Sequence, residues 1–331
     1  MMTMQQLWIK IKDILVRFWE FVIKNNPFIR QRFKTIAGYV RRSWKSIAVV
    51  LPVFLMLYYG IGGYVTNNIS KETTVEFNDE KSNFSFINAG AYLIKQEVDD
   101  NMWTSNLPFI FPGVVLDNMP SYQKGIMQAV KVWVKNTNNY MQSEELKSAY
   151  KLLKYPPNIW ILSKGENLAL APSSGAQYRK ARKELLKFNT QAEYGKPDTD
   201  FAYNQLNMVE KNLNKVSADL EKQVLEFSSD WVDFKADEVF YLNQGKIYAH
   251  YIMLKAFSQD IMPLVTKAKQ YENLTSMFKA LEDALKFEPS VVRNGEIDNL
   301  TSANHLMSLN YYIVKATYYL SLVKNGLIRE N

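Results

Sequence analysis

Residues 206–234, LNMVEKNLNKVSADLEKQVLEFSSDWVDF, decide the fold class. Leu206, Val209, Leu213, Val216, Leu220, Val224, Phe227, Trp231 and Phe234 recur at steps of three and four residues. That spacing puts nine apolar side chains on one stripe of a helix, a seam suited to antiparallel helix packing or a short coiled coil. The same period continues on both sides. It predicts helices over 87–98, 120–140, 143–153, 246–270, 274–287 and 303–324. Another is predicted with Tyr178, Ala181, Leu185 and Phe188 on one face, capped by Ser173 or Ser174 and stopped by Gly195 and Pro197. No stretch alternates apolar and polar residues convincingly, so a sheet is not expected.

Toward the N-terminus the pattern changes. No charged residue stands between Lys45 and Lys71, and residues 47–65 read IAVVLPVFLMLYYGIGGYV. A hydrocarbon core of about 30 Å takes roughly 20 apolar residues as a helix, so this segment is long enough to span. Pro52 lies near its start, where a membrane helix tolerates it. Trp44, Tyr58, Tyr59 and Tyr64 sit toward the ends, where amphipathic rings favour the interface. The other readings are a buried helix of a soluble core and a cleaved signal peptide with a poor Gly60-Ile61-Gly62 site. A charged region of about 45 residues before the apolar run is long for a cleaved signal, which favours an uncleaved signal-anchor.

The charge distribution supplies an orientation. The chain of 331 residues has 40 Lys+Arg and 33 Asp+Glu, a formal net of +7. Residues 1–45 hold ten basic side chains and two acidic ones, so the rest of the chain is almost balanced. Arg30, Arg32, Lys34, Arg41, Arg42 and Lys45 precede the span, and only Lys71 and Lys81 follow within twenty residues. The positive-inside rule then puts the N-terminus in the cytoplasm and the C-terminal part outside. Within the basic segment, Leu7, Ile11, Ile14, Phe18 and Val22 form an apolar stripe opposite a partly basic face of Lys10, Asp13, Arg17, Glu20 and Lys24. Such a helix suits either the membrane surface or a protein partner. The expected architecture is all-α: a basic cytoplasmic segment over 1–45 with an amphipathic helix, a single transmembrane helix over 46–66, and a multi-helix extracytoplasmic domain over 67–331.

Composition excludes several classes. A mean hydropathy of −0.25 is incompatible with a polytopic membrane protein. With no cysteine there is no disulfide, thiolate metal site, cysteine nucleophile or iron–sulfur cluster, and only two histidines are present. Because the basic excess is confined to one end, a nucleic-acid surface spread along the chain is not expected.

Two stretches interrupt the helical period. Trp103 to Pro120, WTSNLPFIFPGVVLDNMP, is loop-like by its prolines and glycine yet strongly apolar, so the domain, the membrane or a partner must cover it. Tyr155-Pro156-Pro157-Asn158-Ile159-Trp160 is a rigid aromatic turn. Trp103, Asn106, Pro108-Phe109, Pro112-Gly113, Leu116-Asp117-Asn118-Met119-Pro120, Tyr122-Gln123 and Gly125 resemble the core motif of an uncharacterised inner-membrane protein family of proteobacteria, a domain of unknown function. Tyr155-Pro156, Ile159-Trp160, Pro172-Ser173-Ser174, Gln177-Tyr178-Arg179 and Ala181 are similar to its later blocks. The resemblance covers about residues 85–230, with the remainder alike in hydropathy pattern only. It implies a Gram-negative inner membrane and this topology, and transfers no catalytic residue.

A search for chemistry finds no GxGxxG, P-loop, HExxH or GxSxG. Ser-x-x-Lys occurs at Ser121–Lys124, Ser148–Lys151 and Ser276–Lys279, as chance allows in a Lys-rich chain, with no Lys-Thr-Gly partner. Asp117 either caps the helix beginning near Pro120, or holds the turn with Asn118, or serves as a ligand or acid–base group in an aromatic-walled cleft. Asp230, Asp233 and Asp237 share a helix face, read as solvated because nothing else converges on them to complete a hard-cation site. Arg179 and Arg182 are two of only four arginines after residue 71, and a guanidinium pair can take a phosphate or carboxylate; the other reading is a solvated helix face. His250 and His305 read as hydrogen-bonded packing residues. Tyr311, Tyr318 and Leu322 share one helix face and Tyr312 and Tyr319 another, so one set can pack while the other is presented outward.

The sequence therefore points to an inner-membrane envelope interaction or scaffold module, partnered by membrane lipid and by an envelope protein or a second copy of itself. A periplasmic binding module for an anionic lipid or glycan, using Trp103, Asp117, Asn118, Arg179 and Arg182, is the alternative, and a cryptic hydrolase around Asp117 or Ser121 the third reading. No cofactor, metal or nucleic acid is expected.

Overall fold

The computed structural model describes residues 13, 17, 27–75, 77, 83–161, 170–191, 196–227, 233, 235–289, 291–296 and 303–329. The stripe over residues 7–24, Asp230, Trp231, Phe234 and Gly195 lie outside the described residues. Among the described residues all regular structure is helical, apart from isolated bridge positions such as the pair Asn294 and Asn304. The chain divides into two compact units, Met1–Ile61 and Gly62–Asn331.

Helix α1, Pro27–Thr66, carries the apolar run. Its stretch Arg41–Thr66 is long and apolar enough to cross a membrane, with a mean hydropathy of 1.8 and only 6% of it buried. Pro52 is accommodated inside it. Thr66 Oγ1 donates back to the Gly62 carbonyl at 2.6 Å, so the final turn satisfies its own polar group.

The second unit is built around α7, Ala236–Asp260. Every residue from Ile247 to Leu254 is buried, so no face of this part meets solvent. Around it pack α2 (Ser85–Lys95), α3 (Asn118–Met141), α6 (Thr199–Phe227) and α9 (Tyr271–Lys286). Helices α4 (Glu144–Leu153) and α5 (Ser174–Gln191) cover the α2–α3 side, and α10 (His305–Arg329) pairs along α6 and α9. The short α8, Met262–Lys267, links α7 to α9. Leu206, Val209, Leu213, Val216, Leu220 and Val224 of the α6 seam are all buried. That seam is an antiparallel helix pair within the domain.

The α3–α7 crossing brings the two backbones into contact at two glycines. A Cβ at Gly125 would overlap the Leu242 carbonyl, and one at Gly245 would overlap the Tyr122 carbonyl. Only hydrogen side chains let these backbones touch. Helix ends follow local chemistry. Ser143 Oγ accepts from the amides of Glu145 and Leu146 at the start of α4, Ser173 Oγ accepts from the Ala176 amide at the start of α5, and Asp260 on α7 accepts from the Ser85 and Phe86 amides of α2.

Helix α2 runs into a π-helical turn over Gln96–Asp100. Met102 then takes a left-handed conformation, φ 59°, and starts the long loop. The apolar loop has two fates. Trp103, Thr104 and Gly113 are buried in the domain, whereas Phe109, Ile110, Val114 and Val115 at its tip are exposed. The domain covers the roots of the loop and leaves its tip outside.

Candidate functional site

The loop is fastened by polar groups at its root. Gln123 on α3 accepts with Oε1 from both the amide and hydroxyl of Thr104, at 2.9 and 2.8 Å. With Nε2 it donates to the carbonyls of Glu97 and Met102, at 3.1 and 2.9 Å. One buried amide thus ties the π-turn, the strained Met102 and the loop entry to α3. Trp103 Nε1 donates to the Pro157 carbonyl at 2.8 Å, and Asn106 Nδ2 donates to the Ile159 carbonyl at 2.7 Å, joining the second aromatic turn to the first. Ser174 Oγ closes that turn by donating to the Pro156 carbonyl at 2.7 Å while accepting from the Ile159 amide.

Beneath this root lies Glu97, fully buried in the π-turn. Its Oε1 accepts from Asn101 at 3.4 Å, and Oε2 has no hydrogen-bond partner among the described residues. Burial pushes the carboxyl up to about 8, with the Gln123 and Asn101 amides opposing that rise. At neutral pH it is mostly the uncharged acid. Tyr122 and Tyr248 flank this region in a tilted ring pair, and Tyr122 donates to the Ser70 carbonyl at 2.6 Å. A π-turn that carries a buried acid is a recurrent mark of functional strain. Here its visible consequence is the placement of the loop.

Above the root opens a cleft of about 350 Å³, lined by Thr104, Ser105, Asp117, Ser121, Lys124 and Glu238 among others. Asp117 is the N-cap of α3, its Oδ1 accepting from the Asn118 amide at 2.8 Å. It also stands near enough to Asp237 to raise that carboxyl, after the larger effect of burial. Ser121 and Lys124 both line this cleft, and no hydrogen bond joins them among the described residues.

Arg179 and Arg182 converge on Asp99, at the end of the π-turn. Arg179 Nε meets Asp99 Oδ1 at 2.6 Å and Arg182 Nη1 meets Oδ2 at 3.4 Å, while Arg179 Nη2 donates to the Val98 carbonyl at 3.2 Å. The pair does hold a carboxylate, one supplied by the chain itself. Gly175 lies among Val98, Arg179 and Trp103, and the Trp103 ring meets Tyr178 edge-on at 5.0 Å. Trp103, Arg179 and Arg182 are thus neighbours around the π-turn, whereas Asp117 lines the cleft and Asn118, the first residue of α3, does not.

The other sequence candidates find structural roles. Asp233 is half-buried, and its carboxylate accepts from Gln223, from Asn294 and from the Lys235 amide. His250 Nδ1 accepts from Trp133 Nε1 at 3.0 Å in the core, and burial drives its pKa down to about 3, aided by Lys246. His305 Nδ1 accepts from the Arg293 amide at 2.9 Å. On α10, Tyr312 and Tyr319 pack on the core, while Tyr311 and Tyr318 are 63% and 60% exposed, with Val314 between them also exposed. Among the described residues, no group of three or more metal-ligating side chains is gathered.

Fold and site together define a helical domain that continues from one helix apolar enough to cross a membrane. Residues 199–325, from α6 into the last turns of α10, match the family described as "Uncharacterized protein conserved in bacteria (DUF2333)". The motif blocks around the two loops precede the matched segment. No curated protein and no solved structure matches the chain.

Proposed function

We propose that the protein is a single-pass inner-membrane protein of the bacterial envelope whose helical domain is a periplasmic interaction module. In this reading α1 anchors the chain with its basic flank in the cytoplasm. The observation that supports an interaction role is the Tyr311–Val314–Tyr318 stripe. These residues stand at i, i+3 and i+7 on α10, exposed, on a helix whose other face closes the core. Tyrosines of this kind combine apolar area with a polar tip and are favoured in protein contacts.

The test is photo-crosslinking in growing cells, with a photoreactive side chain at Tyr311 or Tyr318 of the tagged full-length protein and mass spectrometry of the adducts. Discrete adducts to one envelope protein, or to a second copy of the chain, are expected from these positions and not from Tyr271, which is equally exposed on α9. Equal or absent adducts from all three positions would contradict the reading.

A second reading, a binding module for a small ligand, is favoured by the cleft above the loop root rather than by the arginine pair. A headgroup bound by Arg179 and Arg182 would have to displace Asp99. A thermal-stability screen of the purified protein against envelope lipids and muropeptides addresses it, with Lys124→Ala as the control that should abolish any shift.

A further inference from the structure

We infer that the tip of the 103–117 loop and the adjoining aromatic turn form an uncharged wedge that inserts into the lipid interface beside the point where α1 leaves the membrane. The inference rests on the reading of α1 as a membrane span. The observations that carry it lie wholly within the second unit.

The tip presents Phe109, Ile110, Val114 and Val115, which are 76%, 53%, 40% and 56% exposed, and the neighbouring turn adds Trp160 and Ile161 at 39% and 45%. Six large apolar side chains in two adjoining loops form the kind of patch that marks a membrane or protein contact. The loops are one construction: Asn106 bonds the Ile159 carbonyl, and the Phe111 and Trp160 rings meet edge-on at 6.3 Å. Gln123, Trp103 and Ser174 anchor the roots. The tip is therefore held outward by buried polar bonds, and its exposure is a built feature.

Position selects lipid as the occupant. The last five residues of the apolar stretch, from Gly62 to Thr66, rest against this loop. A Cβ at Gly62 would overlap the Pro112 ring, one at Gly63 would lie 3.2 Å from Val115 Cγ2, and one at Gly113 would lie 2.9 Å from Thr66 Cγ2. A surface touching the final turn of a span stands at the level of the headgroups, where Trp and Phe partition favourably. Charge agrees. Residues 102–116 contain no Asp, Glu, Lys or Arg, and neither do residues 155–161. A polybasic lipid-binding surface would read differently and would need anionic lipid. An uncharged wedge is held by apolar burial alone, so its insertion is insensitive to lipid charge and to salt.

The chain has no cysteine, so single nitroxide labels report each site without background. The full-length protein is reconstituted in phosphatidylcholine vesicles, with and without phosphatidylglycerol, carrying one label at Met56, Ile110, Val115, Trp160 or Tyr271. Collision with oxygen, which favours lipid, is compared with collision with a water-soluble nickel chelate. Labels at Ile110, Val115 and Trp160 are expected about 5–10 Å below the interface and shielded from the chelate about tenfold relative to Tyr271. Adding phosphatidylglycerol or salt should leave that ratio unchanged. The wedge is overturned if these three labels behave as Tyr271 does while Met56 remains in lipid. It is overturned also if their shielding appears only with anionic lipid. Water exposure at Met56 itself would instead refute the span, and the wedge with it.

Discussion

Helices α1 and α7 are both long and apolar, and the chain treats them in opposite ways. Helix α7 buries every residue from Ile247 to Leu254, while only 6% of the apolar stretch of α1 is buried. The difference lies in what each helix asks of its surroundings. Helix α7 carries polar groups that need partners and finds them: His250 with Trp133, Tyr251 with Glu282, and Gln244 with the Phe287 carbonyl. It also carries Gly245, shaped for the α3 backbone. From residue 47 to 65, α1 has no charged group, and nothing lies within 4 Å of a Cβ placed on Gly60. One helix is specified residue by residue to meet protein. The other, as far as Gly60, is specified only to be apolar, which suits a solvent of lipid chains.

Substituting the glycines separates the two most sharply. Gly245→Leu drives a side chain into the Tyr122 carbonyl, and overpacking against a backbone that cannot repack is expected to cost at least about 3 kcal/mol. Gly60→Leu should leave the unfolding midpoint of the domain unchanged. Denaturant unfolding of the two detergent-solubilised variants gives the comparison directly, and equal effects would break it.

The titratable groups of the domain make the next largest difference, in opposite senses. Unfolded, His250 takes up a proton below about pH 6.5, while the folded side chain stays neutral until about 3. Stability should therefore decline as the pH falls from 6.5 toward 3. Glu97 acts in the other sense. The unfolded carboxyl ionises above about 4.5 and the folded one only near 8, so its contribution declines as the pH rises between those values. Each group amounts to a few kcal/mol, at about 1.4 kcal/mol per pH unit. His250→Asn, which keeps an acceptor for Trp133 but does not titrate, should flatten the acid limb of a melting-temperature profile. Glu97→Gln should remove the decline between about pH 4.5 and 8 and leave the His250 decline below about 4.5 intact. Unaltered profiles would remove these assignments.

The smallest effect belongs to the exposed tyrosines. Tyr318→Ala should shift stability by less than about 0.5 kcal/mol, the usual range for a surface site, while lowering cross-link yield from Tyr311. A large loss of stability would show that this face packs internally.

Most of the helical architecture was legible because amphipathic helices state their period. The α6 stripe, a cap at Ser173 and Asp117 as the cap of α3 all follow from local spacing. Helix α7 was legible only in part: the period predicts its start near 246, and the helix begins at Ala236. A helix buried on all faces has no polar stripe to mark its register, and Asn243, Gln244 and Gly245 read as a break. The π-turn was illegible, since one extra residue in a helical turn leaves no pattern in the sequence. Glu97 reads as a surface charge until Gln123, 26 residues away, closes over it. Arg179 and Arg182 converge on Asp99, which comes from 80 residues earlier and which no local pattern indicates. The loop tip was legible as apolar, and only the fold divides its covered root from its exposed end.

The central claim is that α1 carries the domain across a membrane with its basic flank inside. Single cysteines in the cysteine-free chain at Lys34 and at Tyr271 test it, using a membrane-impermeant maleimide on cells whose outer membrane alone has been permeabilised. The account predicts labelling at Tyr271 before lysis and at Lys34 only after it. Labelling of Lys34 before lysis, or of Tyr271 only after it, would contradict the account.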